Sequence, residues 1–234
     1  MPQNQKSLNQ IISYRLEKLE ELKKMGIDPY PHKYSPTHFS SEIIIDFSNL
    51  NKQDVDVAGR IMSIRKMGKA SFFDIQDSLG KIQIFIKKDE IGDKYYNHFN
   101  LLDIGDYVGV FGYVFKTKMD EISISAKKLT VLCKSIRPLP VVKEKDEQTF
   151  DAFIDKEQRY RNRHLDLIVN PSIKETFFKR AKIIQGLRKY LDDLSFLEVE
   201  TPVLQPIYGG ANARPFTTHH NALDQKFYLR IADE

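Results

Sequence analysis

The stretch Phe196-Leu197-Glu198-Val199-Glu200-Thr201-Pro202, followed by Gly209-Gly210-Ala211-Asn212-Ala213-Arg214-Pro215-Phe216, decides the fold of the second half of this chain. A long helix is predicted to lead into it, with Asn170 as the N-cap and Pro171 as the first helical residue. The apolar stripe of that helix comprises Ile173, Phe177, Ile184, Leu187, Leu191 and Leu194. Phe196 to Pro202 predicts a short strand that the proline ends, and the glycine pair predicts a turn.

Toward the N-terminus, the apolar period changes to two between Val55 and Cys133. Predicted strands cover residues 55–61, 71–77, 81–86, 105–117 and 121–132, and a helix covers 89–100. The order βββαββ is typical of a five-stranded OB barrel. Residues 1–54 are predicted to be a helical extension whose helix, 5–25, ends at Gly26, and residues 135–170 a linker. The predicted fold is therefore multidomain α+β, with a further domain starting at residue 171.

Composition excludes several classes of protein. The 234 residues are 41% hydrophobic and 29% charged, as in a soluble globular protein, and no apolar run approaches the roughly 18–20 residues that span a bilayer. Cys133 is the only cysteine, which excludes an intrachain disulfide and fits a reducing cytoplasm. His219 and His220 are adjacent on a predicted strand and point to opposite faces, so we expect no metal site. The net charge of +4 is too small to indicate nucleic-acid binding alone.

The alternation inside the predicted barrel indicates which side chains face outward. Ile82, Ile84 and Ile86 must face the core, which places Gln83 outside, and the alternation of the preceding strand places Phe72 outside as well. An outward aromatic ring on these strands offers a base a stacking partner, and an outward amide can bond a base edge. Arg65 adds a cation just before the turn. The alternative is that Phe72 packs beneath the N-terminal helix, and the pattern leaves both possibilities open.

The first half of the chain resembles the anticodon-binding domain of bacterial class II lysyl-tRNA synthetases. The resemblance rests on these segments: Gly59-Arg60-Ile61-Met62, Arg65-Lys66-Met67-Gly68-Lys69-Ala70-Ser71-Phe72, Gln76-Asp77, Ile82-Gln83 and Phe115-Lys116-Thr117-Lys118. It implies that Phe72 stacks on an anticodon uridine of tRNA(Lys), that Gln83 recognises this base by hydrogen bonds, and that Arg65 assists.

The second half resembles motif 1 and the substrate loop of the same family, which implies that an antiparallel α/β catalytic domain begins at residue 171. Gly209-Gly210-Ala211-Asn212-Ala213-Arg214 is similar to the lysyl form of this loop, where aspartyl and asparaginyl relatives carry a Ser-Pro-Glu-Gly-Ala-Arg type. The resemblance implies that Gly210 lines the lysine pocket, that Glu234 receives the α-ammonium group, and that Pro202 lies in a homodimer interface. Asp233 stands where the family has proline before that glutamate.

The resemblance implies a ligase that uses ATP and Mg²⁺ to convert lysine into lysyl-adenylate and then transfers the lysyl group to the 3′ end of tRNA(Lys). Motif 2, motif 3 and the acidic Mg²⁺ ligands of the family are absent from residues 1–234, so no catalytic residue is assigned and this chain alone is expected to be inactive. The alternative is a non-catalytic tRNA-binding OB module with a dimerising tail. A general single-strand binder would leave residues 171–234 without a role.

Overall fold

The computed structural model describes residues 7–140, 143–145, 148–150 and 153–233, and it divides the chain into two compact units, Met1–Leu165 and Asp166–Glu234. The helices are α1 Leu8–Lys24, α2 Ser40–Ile45, α3 Phe47–Leu50, α4 Lys88–Asn100, α5 Lys156–Arg161, α6 Arg163–Val169 and α7 Pro171–Asp193. The strands are β1 Asp54–Met67, β2 Ala70–Gln76, β3 Lys81–Lys87, β4 Tyr107–Lys116, β5 Ile122–Cys133, β6 Lys143–Lys145, β7 Gln148–Phe150, β8 Leu204–Gln205, β9 Thr217–His220 and β10 Gln225–Leu229.

The first five strands form a closed barrel in the order β1-β2-β3-β5-β4, which confirms the predicted OB fold. Neighbouring strands are antiparallel except β3 and β5, whose parallel pairing closes the ring. The predicted alternation is also observed, because Phe73, Ile75 and the three isoleucines of β3 are all buried. Helix α4 lies between β3 and β4 in the chain, as expected, and Gly92 interrupts it with a φ of +83°.

Helix α1 begins with a capping box, in which Ser7 and Gln10 exchange side-chain and backbone hydrogen bonds. It ends before Gly26, whose φ of +72° matches the predicted left-handed position. Of its leucines, which are spaced by three or more residues, Leu19 and Leu22 are buried, whereas Leu8 and Leu16 are exposed. The helix buries Arg15 and Lys18 in addition, which the apolar spacing did not indicate.

These two cations are buried because they satisfy oxygens at the end of the barrel. Arg15 donates to the carbonyl oxygens of Ile104 at 3.0 Å and Ser135 at 2.9 Å. Lys18 pairs with Asp103 at 2.6 Å. A bidentate, planar guanidinium suits two converging carbonyls, and an ammonium suits a carboxylate. The helix is therefore fastened to the barrel by polar contacts beside its apolar ones.

A buried ion cluster lies next to Lys18. The ammonium of Lys134 contacts Asp103 and lies 2.7 Å from Asp106, whose side chain is fully buried. Burial favours a higher pKa for Asp103, but hydrogen bonds from Lys134 and Lys18 outweigh burial and hold that pKa below its ordinary value. At Asp106 burial outweighs the attraction of Lys134, and the pKa is raised. Lys134 is thus the cation that both carboxylates share, and Lys18 is a second partner for Asp103 alone.

The region predicted as a linker contains secondary structure. Strands β6 and β7 pair as a small hairpin, and helices α5 and α6 follow. Asp155 caps α5 by accepting a hydrogen bond from the backbone N–H of Gln158. Within the parts of the chain that the structure describes, no helix combines the length and apolar character that crossing a membrane requires.

The second unit contains α7 and a small antiparallel sheet in the order β8-β10-β9. Asn170 and Pro171 occupy the predicted N-cap and first helical positions. The predicted strand from Phe196 to Pro202 is wrong, because this segment has no ladder partner among the described residues and the first strand begins at Leu204. The apolar alternation alone does not make a strand, since strand structure requires a neighbour to bond.

Candidate nucleic-acid interface and substrate loop

A row of three outward side chains crosses the first three strands of the barrel. Arg65 on β1 is directly opposite Phe72 on β2, and Phe72 is directly opposite Phe85 on β3. Directly paired residues project to the same face of a sheet, so all three lie on the outer surface. Arg65 is exposed and Phe72 is half-buried. A cation thus lies beside a ring whose face a base could stack on.

The row continues as an aromatic surface consisting of Phe72, Phe85, Tyr113 and Phe115. The ring centroids of Phe72 and Phe85 are 4.9 Å apart, and Phe115 lies 6.0 Å from both Phe85 and Tyr113. Strand β5 separates β3 from β4, but it contributes only serines at this point, and the rings meet across them. The alternation predicts that Phe85 faces outward as well as Phe72, but the stacking role was assigned to Phe72 alone, and Tyr113 was not singled out.

The structure gives Phe72 a ring neighbour on the adjacent strand. Phe72 contacts Phe85, whereas the next residue, Phe73, is completely buried against Phe99 at a centroid distance of 5.3 Å. The partly exposed position of Phe72 on the outer surface fits a stacking role. Its assignment to an anticodon base stays a prediction.

Gln83 is on the outer face by register, but it is only 5% exposed. Its direct partner on β2 is Asp74, so Phe72 is its diagonal neighbour. The amide nitrogen donates to the carboxylate of Glu121 at 2.8 Å, and the amide oxygen accepts from the hydroxyl of Ser123 at 3.0 Å. These contacts explain the low exposure. They use two of the four hydrogen-bonding positions of the amide, which leaves one N–H and one lone pair for another partner.

Glu121 has a defined place in the turn between β4 and β5. Its backbone N–H donates to the Thr117 hydroxyl at 3.2 Å, and its carbonyl accepts from the Thr117 N–H at 2.9 Å. Asp120, with a φ of +67°, completes this turn. Loops at this position and between the first two strands bind oligonucleotides in other OB folds. The sequence prediction missed Glu121, because a turn glutamate gives no periodic signal.

In the second unit, Gly210 has a φ of +83°, a conformation that favours glycine. Residues 205–210 line an open cleft of about 460 Å³. Tyr208 closes one side by packing on Tyr228 of β10, with ring centroids 4.7 Å apart. The predicted role of Gly210 in a lysine pocket stays a prediction, and Glu234 lies outside the described residues.

Pro202 lies in the segment that Arg230 ties to the sheet. The guanidinium of Arg230 donates to the hydroxyl of Thr201 at 2.6 Å, and the Arg230 N–H donates to the carbonyl of Val203 at 2.8 Å. The segment is thus positioned beside β10 without forming a strand of its own. The dimer role of Pro202 stays a prediction.

The two histidines behave as separate side chains. His219 lies 3.2 Å from Asp224, whereas the ring of His220 packs against Phe227. Across the described ranges, no group of three or more His, Cys, Asp or Glu side chains is arranged to hold a metal ion.

Comparison with known proteins matches both units. Residues 55–132 match the family model of the OB-fold nucleic acid binding domain, and residues 155–234 match that of the class II tRNA synthetases (D, K and N). Lysine–tRNA ligase of Carboxydothermus hydrogenoformans is 52% identical over 97% of this chain and 45% of the relative. The lysine–tRNA ligases of two Porphyromonas gingivalis strains are 51% identical over 94% of this chain and 40% of each relative.

The chain therefore spans less than half the length of these curated relatives. Its match extends across the barrel and into the second unit, so the relationship is not limited to the OB fold. Residues 155–234 are thus similar to the class II tRNA synthetases of the D, K and N group, and lysine–tRNA ligases are homologues of the chain.

Proposed function

We propose that this chain forms the tRNA-recognising part, and the beginning of the catalytic part, of a lysine–tRNA ligase. The proposed reaction activates lysine with ATP to lysyl-adenylate and transfers the lysyl group to the 3′ end of tRNA(Lys). The row of Arg65, Phe72 and Phe85 on an OB barrel is the observation that carries the tRNA part of this proposal. The identity to lysine–tRNA ligases supports the choice of amino acid.

Three residues of the barrel have separate roles in the proposed binding of the anticodon. Phe72 offers the face of its ring to an anticodon base, and stacking of this kind contributes about 1–3 kcal/mol per base. Arg65, beside it, neutralises a phosphate or packs over a base plane. The free N–H and lone pair of Gln83 match the O4 and N3–H of uracil, so this amide selects a uridine after stacking has positioned the base.

The second unit contributes the start of the amino-acid site. Gly210 approaches the substrate through its backbone, and Glu234 receives the α-ammonium group of lysine. Mg²⁺ usually takes one or two carboxylates together with water and substrate phosphates, and no Mg²⁺ ligand is assigned to this chain. ATP and Mg²⁺ would be held by residues outside this chain, in a cytoplasmic homodimer that includes Pro202 at its interface.

Anticodon binding is tested with the 234-residue chain and a hairpin RNA that has a U-rich loop. We expect Phe72→Ala to weaken binding by about 1–3 kcal/mol, because a stacking partner is lost. Phe39→Ala is the matched control, since Phe39 is 41% exposed and makes no ring contact with the aromatic surface. Both variants should keep the salt dependence of the parent chain, because neither removes a phosphate contact. Equal affinity of Phe72→Ala and the parent would remove the basis for this interface.

A non-catalytic tRNA-binding module is the second candidate, because residues 1–234 contain no Phe-Arg-x-Glu sequence of the motif 2 type. We expect this chain alone to show no lysine-dependent exchange of pyrophosphate into ATP. Exchange above background would place catalytic residues within these 234 positions. A longer protein that contains these residues and shows the exchange would exclude the non-catalytic alternative.

A further inference from the structure

The segment between α1 and α2, residues 27–38, crosses the outer face of β1 and β4, and we call it the strap. Three of its twelve residues are proline, which has no backbone N–H to pair with a strand. Its tyrosines bond the barrel through their hydroxyls. Tyr30 donates to the carbonyl oxygen of Lys134 at 3.1 Å, and Tyr34 donates to the carboxylate of Asp56.

The ring of Tyr34 lies on a part of the barrel surface that has almost no side chains. Val108 and Val110 face the core, so Gly109 between them faces outward on β4. Its direct partner on β1 is Ala58. A Cβ at Gly109 would lie 2.5 Å from the Tyr34 hydroxyl oxygen and closer still to the ring carbon that bears it. Since Gly109 has no positive φ, the ring above it explains the glycine better than its backbone does.

Larger side chains border this slot on both sides. The next outward pair along the two strands is Arg60 with Tyr107, and the guanidinium of Arg60 lies 4.3 Å from the ring centroid of Tyr107. The pair on the other side is Asp56 with Phe111. Burial and the hydrogen bond to Asp56 raise the pKa of the Tyr34 hydroxyl, which therefore stays a donor. The slot thus matches a flat ring with a hydroxyl at one edge.

Asp56 also holds the part of the strap that follows Tyr34. Its backbone N–H donates to the Thr37 hydroxyl at 3.0 Å. Its carbonyl oxygen accepts from the N–H of Thr37 at 2.8 Å and from the N–H of His38 at 3.2 Å. One residue of β1 therefore bonds the ring in the slot and the backbone beside it, so loss of the ring should loosen these neighbouring bonds.

We propose that the floor formed by Ala58 and Gly109, together with the Asp56 carboxylate, is a binding site for a phenol, which the chain fills with its own Tyr34. The flat floor admits a planar ring, and a carboxylate that only accepts requires a hydroxyl donor on that ring. Tyr34 is thus an intramolecular ligand that fixes the strap on the barrel. The slot shares no residue with the aromatic surface, so the inference is independent of the proposed function.

Removing the ring should leave a vacancy that a free phenol fills. In the 234-residue chain, Tyr34→Ala should lower the Tm, and p-cresol should restore part of the loss. At about five times its dissociation constant, p-cresol should raise the Tm of this variant by about 2–4 °C, and that of the parent not at all. Toluene has the same outline without the hydroxyl, and it should raise the Tm less because Asp56 then receives no hydrogen bond. Thermal unfolding monitored by circular dichroism measures each shift.

Tyr30→Ala is the matched control, because Tyr30 belongs to the same strap but its side chain is 47% exposed and leaves no slot. We expect p-cresol to leave the Tm of this variant unchanged. A rise in Tyr30→Ala or in the parent that equals the rise in Tyr34→Ala would mean that p-cresol binds elsewhere, and it overturns the inference. The absence of a rise in Tyr34→Ala overturns it as well, and so does an equal rise with toluene.

A substitution in the floor tests the site while the ring is kept. Gly109→Ala should expel the Tyr34 ring, so the backbone amides of Thr37 and His38 should lose protection from hydrogen exchange. In the Tyr34→Ala background, the same substitution should cost no further stability and should abolish the effect of p-cresol, because the ring is gone and the slot is filled. Unchanged exchange in Gly109→Ala, or a p-cresol effect that survives in the double variant, would contradict the proposal. The exchange measurement decides the question also where Tyr34→Ala fails to fold.

Discussion

The barrel and the second unit bury their apolar side chains to very different extents. Phe73, Ile84 and Val110 of the barrel are completely buried, whereas Leu197, Ile207 and Phe216 of the second unit are each more than 80% exposed. The barrel sheet closes on itself and encloses its own core, so its strands need no other partner. The sheet of the second unit has only three short strands and encloses nothing.

Helices α1 and α7 also differ in how far they bury their apolar side chains, although their sequence patterns are similar. Both helices have apolar residues spaced by three and four, and both were predicted from that spacing. Helix α1 buries Leu19 and Leu22, whereas no residue of α7 is buried. An amphipathic pattern thus indicates a face that is suited to packing, but the pattern does not show what packs on it.

The largest expected effect is on the barrel core. We expect Phe73→Ala to destabilise the barrel by about 3–5 kcal/mol, because a completely buried ring is replaced by a cavity. Leu187→Ala in α7 should change stability by less than about 1 kcal/mol, since Leu187 is 59% exposed. Urea unfolding, monitored by circular dichroism, measures the stability change of both variants. Equal costs would show that the α7 stripe is as well packed as the barrel.

A substitution in the buried ion cluster should reduce the stability of the barrel by a similar amount. We expect Lys134→Met to cost about 3–5 kcal/mol near neutral pH, because it leaves Asp106 fully buried without its cation, while Asp103 keeps only Lys18. The exposed pair of Lys127 with Asp54 supplies the control, and Lys127→Met should cost at most about 1 kcal/mol.

The pH dependence of the Lys134→Met cost follows from the pKa of Asp106. Burial already holds the folded-state pKa of Asp106 above the unfolded value, and loss of the lysine removes the attraction that opposes burial there. Stability from such groups is present below the unfolded pKa and is lost as pH rises through the folded pKa. The cost of Lys134→Met should therefore shrink as the pH is lowered toward 4, about the ordinary pKa of aspartate. A cost that grows on acidification would contradict this account.

A glycine-to-alanine substitution should have opposite effects on stability in the barrel and in the second unit. A Cβ at Gly112 in β4 would lie 2.0 Å from the carbonyl oxygen of Ser125, so Gly112→Ala should destabilise the barrel by about 1–3 kcal/mol. A Cβ at Gly186 in α7 meets no atom within 4 Å. Gly186→Ala should therefore stabilise the helix by about 0.4–1 kcal/mol. Loss of stability at Gly186 would reveal a neighbour that the open face of α7 does not show.

The barrel could be predicted because the alternation of apolar and polar residues along a strand indicates which side chains are buried. The five strands in chain order and the inward-facing residues of β2 and β3 were predicted from the alternation, and the closed barrel agrees with both. The predicted strand at Phe196 to Pro202 failed because pairing depends on a partner that local sequence does not specify.

The candidate site was predictable only in part, for the same reason. Arg65 and Phe72 could be placed from the alternation and the position of the turn, and their pairing confirms that they share a face. The cover over Gln83 could not be predicted, because Glu121 reaches it from 38 residues away in the chain. Contacts of this kind depend on how two hairpins meet, and no periodicity records that.

The hydrogen bonds between α1 and the barrel also affect when α1 can dock during synthesis of the protein. Arg15 finds its carbonyl partner at Ser135, which is 120 residues later in the chain. During synthesis from the N-terminus, α1 must therefore remain undocked in water until the last barrel strand has emerged. The capping box at Ser7 stabilises the helix locally over that interval. A helix that is translated before the barrel is accordingly among the last elements to reach its native contacts.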